Sequence, residues 1–230
     1  MVDTCHQCGK EYKKIATHWT MSSCDHKPFT DYQHEVCTGL LMGDGYIHRS
    51  LSTPKLVVDM TAKNYLNYLS NEVFSSESGE PFLKRSAERA AERSRERGKN
   101  PDAKAENYSN LYRWHTMCHP GLQTYANWYR SGSKVFPPNI ELTPTVLKHW
   151  YCGDGSLTHH GCPKITLCNE SDNKNKINEM FSRVELTDFF WKENKSETTI
   201  QFRAEGAENF FEHIGSPLPD FLYKWADAYQ

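Results

Sequence analysis

Two stretches of nine residues, 37–45 (CTGLLMGDG) and 147–155 (LKHWYCGDG), end in the same Gly-Asp-Gly and start 110 positions apart. Each has apolar residues at helical spacing and a glycine stop. One such ending is an ordinary helix terminus before a turn. Two of them, each leading into the same order of elements, imply an internal repeat. After the first, strand-like stretches fall at 46–49 and 55–61, an amphipathic helix at 63–74, a strand at 110–117 and a helix around 121–129. After the second, a strand falls at 163–169, a helix at 174–184, a hairpin at 188–194 and 198–204, and a helix at 207–215. The expected fold is α+β, with two pseudo-symmetric αββαββα halves in one chain.

The repeated ending has a chemical consequence. Asp44 and Asp154 fall at the C-terminal ends of apolar helices, where the helix dipole disfavours a negative charge and the last carbonyls lack donors. A divalent cation resolves both problems by taking a carboxylate and a neighbouring carbonyl as hard oxygen ligands. Gly39 and Gly43, spaced i and i+4, allow another backbone to come close; in the second helix Gly153 has that role, with the bulkier His149 at the earlier position. Packed side by side, the two helices would bring Asp44 and Asp154 together, and bound cations would offset their repulsion.

Both segments resemble the LAGLIDADG motif of homing endonucleases, and the likeness extends over residues 31–230. LTPTVLKHWYCGDGS (142–156) is similar to the surroundings of the second motif in intron-encoded members. SKVFPPNIELTP (133–144) and SPLPDFLYKW (216–225) resemble the lysine-bearing segments of the omega-intron type. The resemblance implies that Asp44 and Asp154 bind catalytic Mg²⁺, with the carbonyls of Gly43 and Gly153 as further ligands and Ca²⁺ or Mn²⁺ able to substitute. It also implies that Lys134 and Lys224 stand beside the metals. Met42 and Cys152 occupy the position of the motif's first acidic residue, which is not the metal ligand.

On this resemblance two antiparallel, saddle-shaped sheets straddle double-stranded DNA, and alternate strand residues face the groove. The expected contacts are His48, Arg49, Lys55, Asp59, Arg113 and His115 in the first half, and Lys164, Thr166, Lys192, Gln201 and Arg203 in the second. Val57, Thr61 and Thr199 share the alternation. Without the resemblance, the same pattern describes the solvated face of any antiparallel sheet. The net charge of −2 is weak evidence against DNA binding, although a basic groove is easily balanced by acids elsewhere.

Residues 83–99 (LKRSAERAAERSRERGK) place Arg85, Arg89, Arg93 and Arg97 at i, i+4 steps, with Glu88, Glu92 and Glu96 three residues after an arginine. This spacing supports a helix laced with ion pairs. The stretch 76–107 reads as an insertion, since the first half is about 20 residues longer than the second between acid and lysine. It is either an arm on the DNA phosphates or a solvated insertion, and the sequence does not choose.

The first 28 residues hold a separate pattern, Cys5-x2-Cys8-x9-His18-x5-Cys24. Two thiols, an imidazole and a third thiol suit tetrahedral, structural Zn²⁺, whose binding would supply the folding energy that so small a core lacks. His26 is the alternative fourth ligand, and His6 is expected to point outward. Lys10, Lys13 and Lys14 would lie near the DNA backbone. Among the eight cysteines, Cys37, Cys118, Cys152, Cys162 and Cys168 lack paired spacing and read as packing or surface residues. Expected boundaries are 1–28 for the zinc module, 29–140 for the first half and 141–230 for the second.

The N-terminus has no apolar segment of the secretory kind, and no run approaches the ~20 apolar residues of a membrane span. The expectation is a monomer inside the cell with access to DNA, in cytoplasm, nucleoid or organelle. It cuts both strands of a long asymmetric site by metal-assisted hydrolysis to leave short 3′ overhangs. The alternatives are an intron maturase derived from the same family, a non-cleaving DNA-binding protein, or a zinc-dependent interaction module on an inert scaffold.

Overall fold

The computed structural model describes residues 2–13, 15–22, 24–49, 53–130, 133–158, 160–167, 174–194 and 197–225. Lys14 and Cys168 lie outside the described residues. An N-terminal hairpin, β1 (Asp3–Thr4) and β2 (Glu11–Tyr12), leads into α1 (Ile15–Met21). The first half runs α2 (Asp31–Met42), β3 (Gly45–His48), β4 (Lys55–Met60), α3 (Lys63–Tyr68), β5 (Phe82–Arg85), α4 (Ala87–Glu96), β6 (Leu111–His115) and α5 (Gln123–Ala126). A short hairpin, β7 (Tyr129–Arg130) with β8 (Ser133–Lys134), joins it to the second half. That half runs α6 (Pro144–Asp154), β9 (Gly155–Leu157), β10 (Pro163–Leu167), α7 (Lys174–Arg183), β11 (Phe189–Glu193), β12 (Thr198–Phe202) and α8 (Ala204–Ile214).

Each half forms a four-stranded antiparallel sheet, ordered β3-β4-β6-β5 and β9-β10-β12-β11. With α4 set aside, both are αββαββα, as the repeat implies. The motif helices begin at side-chain caps. Thr30 and Gln33 form a reciprocal capping box at α2, and Thr143 caps α6 with Pro144 in its first turn. One hydrophobic core runs through both halves and includes Trp114, Trp150, Trp225, Tyr65 and Tyr151, all fully buried. Among the described residues no helix is long and apolar enough to cross a membrane.

The element pattern needs two corrections. β9 (Gly155–Leu157) follows α6 directly, where no strand was expected, and pairs with β10. The stretch 76–107 shows no apolar alternation, yet residues 82–85 form β5, the edge strand paired to β6. An edge strand with Phe82 and Leu83 half in solvent lacks the buried alternation that marks inner strands. The extra length therefore sits in the β5–β6 connection, where the second half has only residues 194–197. Because Arg85 belongs to β5, the helical ion-pair ladder starts at Arg89, which pairs with Glu92 and Glu96. α4 is ordered by burying Ala90 and Ala91 on its inner side, and Arg95 reaches the Ala103 carbonyl.

Candidate active site

The chains of α2 and α6 come together through missing side chains. A Cβ on Gly39 would lie 2.4 Å from the Val146 carbonyl oxygen and 2.7 Å from His149 Cβ. At the far end Gly43 and Gly153 face each other, and a Cβ on Gly153 would lie 2.9 Å from the Asp44 amide nitrogen. Only glycine permits this approach. It brings the backbone of Asp44, just past the end of α2, against the last turn of α6, where Asp154 is the final residue. Met42 and Cys152, at the position that departs from the motif, are both buried in the core.

A lysine attends each helix end. The Lys134 ammonium donates to the carbonyls of Gly43 (2.9 Å) and Gly45 (3.1 Å). The buried Lys224 ammonium donates to Cys152 (2.7 Å), Tyr151 (3.3 Å) and Gly153 (3.3 Å). The carbonyls of Gly43, Cys152 and Gly153 are among those a helix leaves without partners at its C-terminus, whereas Gly45 opens β3 and Tyr151 also accepts from the Gly155 N–H. Lys134 is delivered by the β7–β8 hairpin, which the sequence pattern does not show because its two strands are only two residues each. Lys224 is delivered by a short turn after Phe221, with its own carbonyl held by the Tyr151 hydroxyl at 3.1 Å.

Electrostatics follows from this packing. Loss of surrounding water raises the Asp44 carboxyl above its ordinary pKa, although one side of the residue stays open to solvent, and the Lys224 and Lys134 ammoniums pull it back. Burial lowers the Lys224 pKa, opposed by Cys152, Asp44 and Asp154. His149, where the other helix has a small residue, is fully buried and hydrogen-bonded through Nδ1 to the Tyr65 hydroxyl at 2.5 Å. Burial, with a smaller contribution from Lys148, holds its pKa down at about 3, so the ring stays neutral.

A cleft of about 440 Å³ opens at this end and is lined by Asp44, Cys152, Gly153 and Lys224, together with Asp220, Tyr223 and residues of the β4–α3 turn. It joins the acid of the first half to the lysine and glycine of the second. The carboxylates of Asp44 and Asp154, both near enough to act on the Lys224 charge, are hard oxygen donors, while the Gly43 and Gly153 carbonyls are taken by the two ammoniums.

The profile of the LAGLIDADG DNA endonuclease family matches residues 34–210. The chain belongs to that family. Among solved structures, it resembles the homing endonuclease I-WcaI bound to its DNA recognition sequence, with a TM-score of 0.71 and 17% identity over 93% of this chain and 92% of that one. Looser likenesses include full-length DUF199/WhiA from Thermatoga maritima (TM-score 0.48, 11% identity, 83% of this chain, 58% of that one). Another is a variant of I-DmoI in complex with its target DNA and in the presence of Mn (TM-score 0.49, 10% identity, 82% and 97%). No curated protein matches the chain by sequence.

In this LAGLIDADG chain the strand alternation places the expected DNA contacts other than Arg49 and Arg203 on one face of each sheet. In the first, Tyr46 and His48 on β3, Lys55 and Asp59 on β4, Arg113 and His115 on β6, and Phe82 and Lys84 on β5 share a side. Asp59 is already engaged: Arg113 donates to both of its oxygens (2.7 and 2.8 Å), and Lys84 donates to it at 2.5 Å. Arg113 also donates to the Tyr46 hydroxyl at 3.1 Å. Val57 shares the face but is buried, which interrupts the polar stripe. Arg49 lies beyond β3, over the Tyr129 ring and bonded to its carbonyl at 3.1 Å. In the second sheet Lys164 lies opposite Gln201, Thr166 opposite Thr199, and Lys192 opposite Thr199. Arg203 falls just past β12, paired with Asp188 at 2.9 Å and stacked over Phe190. Tyr46, Phe82, Lys84 and Phe190 are members of these faces that alternation alone did not single out.

The N-terminal cluster assembles. Ligand atoms of Cys5, Cys8, His18 and Cys24 all lie within 4.8 Å of one another, with Cys8 Sγ 3.5 Å from His18 Nε2. A small separate core of Cys5, Ile15 and Trp19 backs the cluster, with Tyr12, Cys24 and Met117 against it. His26 is not in the group; its ring packs against Trp19 and His119. His6 is exposed, edge-on to Trp19.

Proposed function

We propose that this protein is a single-chain, site-specific DNA endonuclease that hydrolyses one phosphodiester in each strand of a long asymmetric duplex site with Mg²⁺. One observation carries the reading: two acid-tipped helices meet glycine to glycine, with an ammonium on the terminal carbonyls of each. The donor set fits a hard divalent cation, since the candidate ligands are oxygens only and the Asp44 carboxyl lies in a partly dry setting that a cation would relieve. Asp44 and Asp154 would hold it, with Ca²⁺ or Mn²⁺ as substitutes; the Gly43 and Gly153 carbonyls, expected as further ligands, accept from the Lys134 and Lys224 ammoniums instead. Bound there, the metal supplies an acidified water and stabilises charge on the phosphoryl and leaving oxygens.

The chain's own groups do the rest. Lys134 and Lys224 place positive charge beside the reacting phosphates, where negative charge develops. In each strand a water oxygen joins phosphorus and one bridging P–O bond breaks. The water's proton passes to solvent, and the leaving oxygen takes one up. The sheet faces, with Lys55, His115, Lys164 and Gln201 among them, read the major groove. Cutting across the minor groove leaves short 3′ overhangs. Both motif halves lie in one chain, so a monomer completes the site, and it acts in a compartment that holds its target DNA. Cys5, Cys8, His18 and Cys24 hold a structural Zn²⁺, since four protein ligands leave no position for a reacting water.

A cleavage selection against a randomised duplex library with Mg²⁺ tests this. Wild type is expected to linearise a recovered subset, and Asp44→Asn and Asp154→Asn to cut none of it. Tight binding of RNA by a wild type that cuts no DNA would replace the nuclease with an intron maturase.

A further inference from the structure

Asp220 is one of two non-glycine residues with positive φ among the described residues, at +67°. Aspartate visits this left-handed region at some cost, which the contacts of its side chain must offset. Its carboxylate grips Asn64 at two points: Oδ2 accepts from the Asn64 backbone N–H at 2.7 Å and Oδ1 from the side-chain amide at 2.8 Å. The residues are 156 positions apart and belong to different halves. Asn64 lies in the first turn of α3, whose own cap residue, Ala62, offers no side-chain acceptor.

Four residues later comes Lys224. Between them Phe221 is buried against Tyr65, and the Lys224 N–H donates to the Phe221 carbonyl at 2.9 Å, so the segment is a compact turn. Its far end is tied to α6 through the Tyr151 hydroxyl. Its near end is tied to the first half through Asp220. We infer that Asp220 is a positioning residue for Lys224: by holding Asn64 it fixes the Lys224 turn relative to Asp44, which belongs to the first half. The cleft groups Lys224 with Asp44 and Gly153, whereas Lys134 sits on the carbonyls of Gly43 and Gly45. Loss of the tie therefore disturbs one of the two hydrolyses and spares the other.

This inference rests on the endonuclease reading. The test uses a supercoiled plasmid carrying a duplex recovered with wild-type enzyme and Mg²⁺, with each strand end-labelled in a parallel linear substrate. Asp220→Ala is expected to slow one strand about tenfold at single turnover, with the other strand little changed, so that nicked circles accumulate. Asp220→Asn tolerates the left-handed backbone and keeps an acceptor oxygen for Asn64, so it recovers most of the lost rate. Should Asp220→Ala fail to fold, as read by its melting curve, Asn64→Ala removes one of the two bonds and gives a weaker bias for the same strand. Equal slowing of both strands, no slowing, or an Asp220→Asn as slow as the alanine variant overturns the positioning role. A wild type that cuts neither strand of any duplex overturns the endonuclease reading itself, and the role of Asp220 with it.

Discussion

Gly153 stands so near Gly43 that a methyl group on Gly153 would lie 3.2 Å from the Gly43 Cα and 2.9 Å from the Asp44 nitrogen. Backbone does not swing aside as a flexible side chain does, so Gly153→Ala must part the helices at the end that carries the acids. The expected result is a cleavage rate reduced more than tenfold, because misplacement of reacting groups is costly. Overpacking should also cost about 1–3 kcal/mol of stability. Gly43→Ala, whose nearest neighbour would be the Trp150 carbonyl at 3.3 Å, should be milder in both measures. Single-turnover cleavage beside thermal melting checks the ranking, and full activity in Gly153→Ala would separate this contact from the chemistry.

Asp44 predicts a coupling between metal and stability. Its carboxyl is raised above 3.8 by loss of water, against the pull of Lys224 and then Lys134. For an acid whose folded pKa is raised, folding favours the protonated form. The contribution is complete below the unfolded pKa and is lost as pH rises through the folded value. At neutral pH the ionised group is thus unfavourable, and Asp44→Asn should melt higher than wild type in EDTA. A cation that binds the carboxylate stabilises only the protein that has it. Mg²⁺ should therefore raise the wild-type Tm and leave Asp44→Asn nearly unmoved. Equal shifts in the two proteins, measured by calorimetry, would remove Asp44 from the metal site.

His149 predicts acid sensitivity. Its pKa falls from 6.5 to about 3 through burial and then Lys148, and that of His119 falls to about 4, chiefly through burial. A base with a depressed folded pKa contributes full stability above 6.5 and loses it as pH falls toward the folded value. His149→Gln should therefore flatten the decline in Tm between neutral pH and about pH 4, relative to wild type. Tyr65→Phe leaves the buried Nδ1 without its 2.5 Å partner and should cost about 1–3 kcal/mol at neutral pH. An unaltered slope in His149→Gln would place the acid sensitivity elsewhere.

Residues with a local signature were legible from sequence. The two Gly-Asp-Gly endings announce where a helix stops, and the spacing of Cys5, Cys8, His18 and Cys24 announces the cluster they form. Period-2 alternation found β4 and β10 because their inner residues, Leu56, Val58 and Ile165, are fully buried. β5 escaped because an edge strand buries too little to alternate. Asp220 and Asn64 escaped for another reason: their contact spans the two halves, and nothing local in either segment reports a partner so distant in the chain. The ion pairing of Asp59 with Arg113 is similar, since only the β4–β6 register brings them opposite.

The N-terminal module should behave as a metal-dependent appendage. Its core of Cys5, Ile15 and Trp19 is separate from the main one, and burial of so few side chains cannot hold it without ligation. Burial tends to raise the Cys5 thiol, yet hydrogen bonds from the Cys8 and Gln7 backbone and from the Trp19 and Cys8 side chains together outweigh it and bring the pKa down to about 5, so a thiolate ligand is available at neutral pH. Elemental analysis should find about one zinc per chain, and Cys8→Ser should lose it. Stripping the metal with a strong chelator should expose Trp19, now 5% accessible, and shift its emission to the red. The main melting transition should persist, because Phe29, stacked on His119 at 3.9 Å, belongs to the larger core. A zinc-free chain whose Trp19 stays buried, or whose main transition vanishes with the metal, would contradict this division of the molecule.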